Sequence, residues 1–519
     1  MIGLRAAFIA ALLSLGAVAP LSAQDITLTS RDGAVEISGT LLGFDGQFYR
    51  VDTQFGELTV DGTGVSCDGP ACPSLTDFVA EIALSGSSTM AEVLLPALIE
   101  GFALRNGYRT ERQNRDQTHF SYLVYNPERA TPLARFDFRI TTTDEGFADL
   151  LANEADIVMA LREIRPDERD RAREAGMGDM TRPNRSRVLA LDAMVPVTAP
   201  DNPVRQVSTP DLARVFAGEI TNWQVLGGPD APIALHLPDA ESGLTQAVED
   251  RLLRPAGKTL STETIHHSRS SALAQAVVTD PFALGIASYA ETGTARALTL
   301  SGSCGFSLSA DRWTIKTEDY PLTSPMFLYL PARRLPRIAR DFLGYTTSPA
   351  AQVVIRRAGF VDQAPEEIPL GAQGRRLANA IAAAGIEVEL SDLQRLVQTL
   401  SPMTRLTTSF RFEAGSSRPD AQSRSNILSL AQALESGAHD GEQVLFVGFS
   451  DGDGPAEANS EIAMKRAEAV RDAVLAAAPT ANQQRVTIGV DAFGEALPMA
   501  CDDSDWGRQV NRRVEIWIR

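Results

Sequence analysis

Three stretches of the sequence place hydroxyl side chains directly ahead of a helical run. They are Ser85-Gly86-Ser87-Ser88-Thr89 before Met90 to Phe102, Thr141-Thr142-Thr143-Asp144-Glu145-Gly146, and Glu241-Ser242-Gly243-Leu244-Thr245 before Gln246 to Leu253. The first N–H groups of a helix have no intrahelical partner, hydroxyls add donors, and glycine lets a ligand approach the backbone. Tips of this kind suit a small anion. A helix dipole contributes only ~0.3–1 kcal/mol, whereas a hydrogen bond to a charged group contributes about 1.5–3 kcal/mol; several donors must therefore converge. Ordinary N-capping uses the same residue types, and the residues alone leave both readings open. A second pattern lies near the C-terminus. The apolar run Val444 to Phe449 leads through Ser450 to Asp451, and after Asp453-Gly454 and Asn459 comes a helix, Glu461 to Ala476, that carries Arg466 off its Ala463, Ala467, Val470 stripe. A carboxylate and a guanidinium facing one cleft can hold the ammonium and the carboxylate of a zwitterion; a plain Asp451–Arg466 ion pair fits the spacing equally well.

These residues need a scaffold. Short apolar strands (Glu81 to Leu84, Asp156 to Met159, Pro232 to Leu235) alternate with helices between residues 79 and 362, which predicts an α/β fold with ligands at the C-terminal ends of its strands. Crossover strands are expected near Leu189 to Thr198 and Leu284 to Ser288. Residues 363–399 read as a linker with a helix near Arg375 to Ala384, and residues 400–519 read β-α-β-α-β. Residues 24–78 read as a small β module, with the turn dipeptides Asp32-Gly33, Asp45-Gly46 and Asp61-Gly62 between strand formers.

Residues 1–23 read as a secretory signal: Arg5, the apolar run Ala6 to Val18, Pro20, and Ala23 at the cleavage point. The run falls short of the ~20 residues of a membrane span, and no Cys follows it to take a lipid. The 519 residues carry 44% apolar and 22% charged residues and a net charge of -18. That balance is globular, and it argues against nucleic acid as a partner. In an oxidising compartment Cys67 and Cys72, around a Gly-Pro turn, are expected to form a local disulfide. Cys304 and Cys501 fall in different domains, and the sequence leaves free thiols and a pair both open. The five His show no metal-ligand spacing, so no metal site and no cofactor are expected. His266-His267 reads as a surface loop.

The middle region resembles the substrate-binding protein of the phosphate ABC transporter, a two-lobed periplasmic binding protein. The resemblance is carried by Leu84 to Thr89, by Ala155 to Ile164, by Phe216-Ala217-Gly218-Glu219-Ile220-Thr221-Asn222-Trp223 with Leu226-Gly227-Gly228, and by Ala358-Gly359-Phe360-Val361. It implies anion contacts at Ser87, Ser88, Thr89, Thr142, Thr143, Arg162, Ser242, Gly243 and Thr245. The chain departs from the pattern at Ala160-Leu161, where the family has paired Ser, and at Leu244, where it has Thr. Without an anion, Arg162 would need a carboxylate such as Asp239 or Glu241. The last section resembles the OmpA-like domain through Phe410-Arg411-Phe412, Ser417-Arg418-Pro419, Gly448-Phe449-Ser450-Asp451, Lys465-Arg466-Ala467 and Asn511-Arg512-Arg513-Val514-Glu515. It implies peptidoglycan binding, with Asp451 and Arg466 on the diaminopimelate of the stem peptide, Asn459 supporting the loop, and Arg512 lining the site. Phe449 stands where the family has His.

The expectation is a noncatalytic binding protein of the Gram-negative periplasm, associated with the cell wall and outer membrane. It captures phosphate or another small anion, with an ABC transporter permease as a further possible partner. The competing reading is a structural or interaction protein whose solute pocket is degenerate. A hydrolase is disfavoured, because no general base can be placed beside Ser88.

Overall fold

The computed structural model describes residues 25–519 except 76, 184, 385–386 and 414–415. The signal segment lies outside the described residues. The described residues divide into two compact units, one of residues 25–80 with 335–337, the other of residues 81–334 and 338–519.

In the first unit five antiparallel strands form one sheet: Ile26–Ser30, Glu36–Phe44, Phe48–Thr53, Gly56–Asp61 and Val65–Asp68. Alternation decides the buried face: Ile26 and Leu28 on the first strand meet Tyr49 and Val51 on the third. Gly33 and Gly46 turn the first two hairpins at positive φ. The Cys67–Cys72 disulfide is present.

The second unit begins with two α/β lobes. Strand Ile157–Ala160, buried along its whole length, lies parallel to Ala80–Gly86 and antiparallel to Thr323–Tyr329. Its unbroken apolar run is what an interior strand covered on both faces requires. The long strand Ser186–Thr198 joins the lobes. Its first half pairs with Thr323–Tyr329 and its second half with Ala283–Ser288. In the second lobe Ala283–Ser288 runs parallel to Ala234–Pro238, which runs parallel to Ile265–His267. The return crossing is at Tyr320 to Thr323, entering Thr323–Tyr329, and not at Leu284 to Ser288; that run is apolar because it is an interior strand of the second lobe. Likewise His267 is no loop residue: the parallel pairing places its Nε2 2.8 Å from His236 Nδ1.

The helices start at or inside the three hydroxyl stretches, Gly243–Val248 three residues ahead of the expected Gln246, and two are irregular. Met90–Leu94 is a π-turn ahead of the helix Leu95–Arg105, where Pro96 lacks the N–H a regular turn would use. Gly243–Val248 is followed by a second π-turn, Glu249–Leu253.

The C-terminal sheet has the order Glu367–Ile368, Thr404–Phe410, Arg513–Ile518, Gln443–Phe449, Thr487–Ala492. Helices Ala421–Glu435 and Ala456–Ala477 cover one face through Leu430, Leu434, Val470 and Val474. The other face is covered by the stretch between the lobes and this sheet. There Gly374–Ala383 and a further helix, Leu390–Leu400, pack Ala380, Leu396 and Leu400 on Phe449 and Trp517.

Buried charge attaches this sheet to the two lobes. Asp319, just before the return crossing, accepts from Arg405 Nη1 at 2.9 Å and from Arg411 Nη2 at 2.7 Å, and the two guanidiniums hold its carboxyl well below the usual range against the cost of burial. Arg424 pairs with Glu163 of the first lobe. Trp506 Nε1 donates to the Arg251 carbonyl of the second lobe at 2.8 Å. Cys304 and Cys501 form a disulfide that bridges 197 positions of sequence. Among the described residues no helix is long and apolar enough to cross a membrane.

Candidate functional site

The tips of the first and third helices meet. Gly86, at φ 134°, lets the backbone pass the neighbouring strand so closely that a Cβ there would lie 2.2 Å from the Met159 carbonyl oxygen. Ser87 follows, fully buried, with its N–H spent on Met159 O at 2.9 Å and its Oγ without a partner. Gly243, from the second lobe, sits against it: a Cβ at Gly243 would come within 3.2 Å of Ser87 Cβ. Ser88 is half-buried and Thr89 buried beside it.

The other predicted hydroxyls have assigned work. Thr142 caps the helix Thr143–Leu151 by accepting from Glu145 N at 3.1 Å. Thr143 Oγ1 accepts from Leu161 N at 3.2 Å, and Thr143 N donates to Gln246 Oε1, across the lobes, at 3.0 Å. Ser242 caps Gly243–Val248 through Thr245 N at 3.1 Å, and Thr245 Oγ1 donates to the Pro238 carbonyl at 3.0 Å. Capping and ligand-type hydroxyls thus stand side by side, and Ser87 Oγ is the buried one of the set without a partner.

Arg162 differs from expectation. Its guanidinium donates to Glu168 at 2.8 and 2.6 Å and also to Asp144, and its Nε lies 3.5 Å from Asp250. Neither Asp239 nor Glu241 is among these partners. The cause is local: Glu168, in the first turn of the helix Pro166–Glu174, reaches back to Arg165 N and meets the Arg162 side chain on the way. A buried guanidinium so compensated has no need of an anion.

Sequence reading overlooked an acidic pair near the first crossover. Asp192 is 2% exposed in an otherwise apolar strand, accepts from Ser288 Oγ at 2.7 Å, and is pushed up to about 6 by burial. Burial, with Asp192 and Glu92 nearby, raises Glu291 to about 7. The signal was available: a lone carboxylate inside Leu189 to Val195.

In the C-terminal domain the strand Gln443–Phe449 leads into Ser450 and Asp451, and the long helix Ala456–Ala477 carries Arg466. The two do not form the simple ion pair. Asp451 faces Arg512 at 3.5 Å. Arg466 Nε and Nη1 are buried with no partner, and the guanidinium lies 5.3 Å over the Phe412 ring. Burial, reinforced by Arg512 and opposed by Asp451, lowers its proton affinity. Asn459 belongs to the first turn of the helix, where it donates to Gly454 O at 3.3 Å and Glu495 Oε2 at 2.8 Å, tying down the Asp451 loop. Phe449 turns inward, with Arg513 4.2 Å over its ring, and Arg513 itself is fully buried with Glu515. Phe412 and Glu495 are the contributors that spacing did not reveal.

Two lobes joined by crossing strands, with helix tips meeting between them, are the fold of the PBP superfamily domain, which residues 73–350 match. The chain belongs to that superfamily, and it carries a C-terminal OmpA domain, matched over residues 411–512. Among curated relatives, the "Phosphate-binding protein PstS" of Borreliella burgdorferi is 24% identical over 182 residues, 34% of this chain and 64% of that protein. "Protein SphX" of Synechococcus elongatus is 25% identical over 234 residues, 43% of this chain and 67% of that protein. The chain thus spans just under two thirds of the first relative's length. A solved ABC-type phosphate transport receptor from Vibrio cholerae is 19% identical, with 54% of this chain and 99% of that one covered and a TM-score of 0.41.

Proposed function

We propose that this protein is a noncatalytic cell-envelope binding protein that captures phosphate or a related small anion between its lobes and is held to peptidoglycan by its OmpA domain. The observation that carries the wall-binding half is Arg466. A buried guanidinium with two unpartnered N–H-bearing nitrogens is costly unless a ligand completes it, and Asp451 with Arg512 stands beside it to meet the other charge of a diaminopimelate side chain. Ser87 Oγ, unpartnered at the meeting of two helix tips, supports anion capture, as do the phosphate-binding relatives. A periplasmic location and service to an ABC transporter permease belong to the same proposal.

A second reading, a scaffold with a filled pocket, draws on Gln246 occupying the Thr143 N–H and on the carboxylates around Arg162. Calorimetric titration of the full chain with phosphate, sulfate and small carboxylates decides between them. Phosphate is expected to bind saturably and about tenfold more weakly to Ser87→Ala, the loss of one charge-assisted hydrogen bond; silence with every anion favours the scaffold. In parallel, retention on purified sacculi is expected to disappear with Arg466→Ala or Asp451→Ala. Unchanged retention would overturn the wall assignment.

A further inference from the structure

A cleft of about 530 Å³ lies where the C-terminal domain meets the two lobes; Arg162 and Asp250 line it too, but Ser87, Thr143 and Gly243 do not. Its size falls in the usual range for small-molecule sites, roughly 300–1,000 Å³. Two buried atoms of opposite charge on its lining have no partner. Arg411 is 3% exposed and uses Nη2 on Asp319, while its Nη1 is unpartnered. Glu318 Oε2 is likewise sequestered and unpartnered, on a residue held at φ 55°, a backbone conformation that side-chain-bearing residues seldom adopt. The guanidinium of Arg411 and the carboxyl of Glu318 have no hydrogen bond to each other. Arg251 lines the cleft from the second lobe, and Tyr320, Phe412 and Trp506 supply aromatic walls.

We propose that this cleft binds a small zwitterion of the α-amino acid class, its ammonium on Glu318 and its carboxylate on Arg411 and Arg251. A bare anion such as phosphate fits poorly, because Glu318, Asp420 and Asp505 share the lining. The same excess of carboxylates favours a neutral or basic side chain over an acidic one. Neither Asp451 nor Arg466 lines this cleft, although Phe412, under the Arg466 guanidinium, does.

The charged groups around Glu318 set a pH signature. Asp420 and Arg411 face it from the C-terminal domain, Arg251 from the second lobe, and Asp319 follows it in the chain. Burial first, then Asp420, raises its carboxyl to about 8, with Arg411 and Arg251 opposing. Glu318 is therefore protonated at neutral pH, and a bound ammonium must displace that proton. Affinity rises about tenfold per pH unit up to about pH 8.

Calorimetry on the full chain with L-lysine as probe tests this at pH 6, 7 and 8. Saturable binding is expected to strengthen along that series, to fall at least tenfold in Glu318→Gln and in Arg251→Met, and to persist in Asp451→Ala. Cadaverine, which lacks the carboxylate, is expected to bind at least tenfold more weakly. The proposal is overturned by silence with L-lysine at every pH, by pH-independent binding, by equal binding of cadaverine, or by loss in Asp451→Ala, which would place the amino acid in the wall site. Arg251→Met keeps the test decisive if Glu318→Gln melts early, since the Arg251 hydrogen bond to Trp506 uses only its backbone carbonyl.

Discussion

Arg162 and Arg466 show how one residue type acquires opposite duties. Both are largely buried and both resemble ligand positions, yet Arg162 is enclosed by Asp144, Glu168 and Asp250, whereas Arg466 has an aromatic ring beneath it and two buried nitrogens unpaired. Glu168, six positions beyond Arg162, accounts for part of the difference, whereas Asp144 and Asp250 reach it from distant segments. Glu318 is the acidic counterpart, a sequestered carboxyl without a partner. Its proton affinity is higher folded than unfolded, so its neutral form is favoured below about pH 4.5 in either state, and the folded state loses stability as pH climbs from about 4.5 to about 8. Glu318→Gln removes that cost. The variant is expected to match the parent in urea denaturation near pH 4.5 and to exceed it by roughly 4 kcal/mol at pH 8. Equal stability at both pH values would mean that the carboxyl is solvated after all.

At the level of elements, the hydroxyl and glycine signatures did most of the predictive work. Two of the three helices begin on a side-chain cap, Thr142 and Ser242, because a cap is a local device read from four or five consecutive residues; the first begins inside its hydroxyl stretch without one. The two π-turns were not legible. Such a turn inserts a residue without changing the apolar composition, and only the packing around Met90–Leu94 and Glu249–Leu253 reveals it. The crossover was half legible for a related reason: Ser186–Thr198 and Ala283–Ser288 are both apolar runs, and strand partnership, which composition does not record, separates the strand that changes lobes from the one that stays. Gly86 is where the strand Ala80–Gly86 passes into the first helix. Gly86→Ala forces a Cβ against the Met159 carbonyl at a positive φ. The expected result is a loss of roughly 2–3 kcal/mol in denaturation, with anion binding reduced more than stability because Ser87 shifts. Wild-type stability together with wild-type titration curves would contradict this.

On the scale of the second unit, the C-terminal domain is built onto the lobes rather than strung after them. It holds the first lobe through Arg424–Glu163, the return crossing through Arg405, Arg411 and Asp319, and the second lobe through Trp506 and the Cys304–Cys501 disulfide. Ser303 N, next to that disulfide, donates to Asp503 at 2.7 Å, and Asp502 accepts from Gly452 N at 2.8 Å beside Asp451. A short path therefore runs from the second lobe to the Asp451 loop. The paired variant Cys304→Ser/Cys501→Ser frees a loop of nearly two hundred residues, and chain entropy puts the expected loss at roughly 2–5 kcal/mol, measured by denaturation of the full chain. An unchanged midpoint would show that the ionic contacts suffice.

Sequence alone determined what local spacing can determine: the strand and helix periods, the turns around Asp-Gly, the caps, the Cys67–Cys72 bridge across five positions, and the two families whose motifs run in order along the chain. Tertiary structure decided every pairing between distant residues. Arg405 meets Asp319 across 86 positions, Cys304 meets Cys501 across 197, and Arg424 meets Glu163 across 261. Such partners are chosen by which surfaces the folded chain brings together in a medium of low dielectric, where a charge left unpaired is costly. One-dimensional spacing carries no trace of that choice.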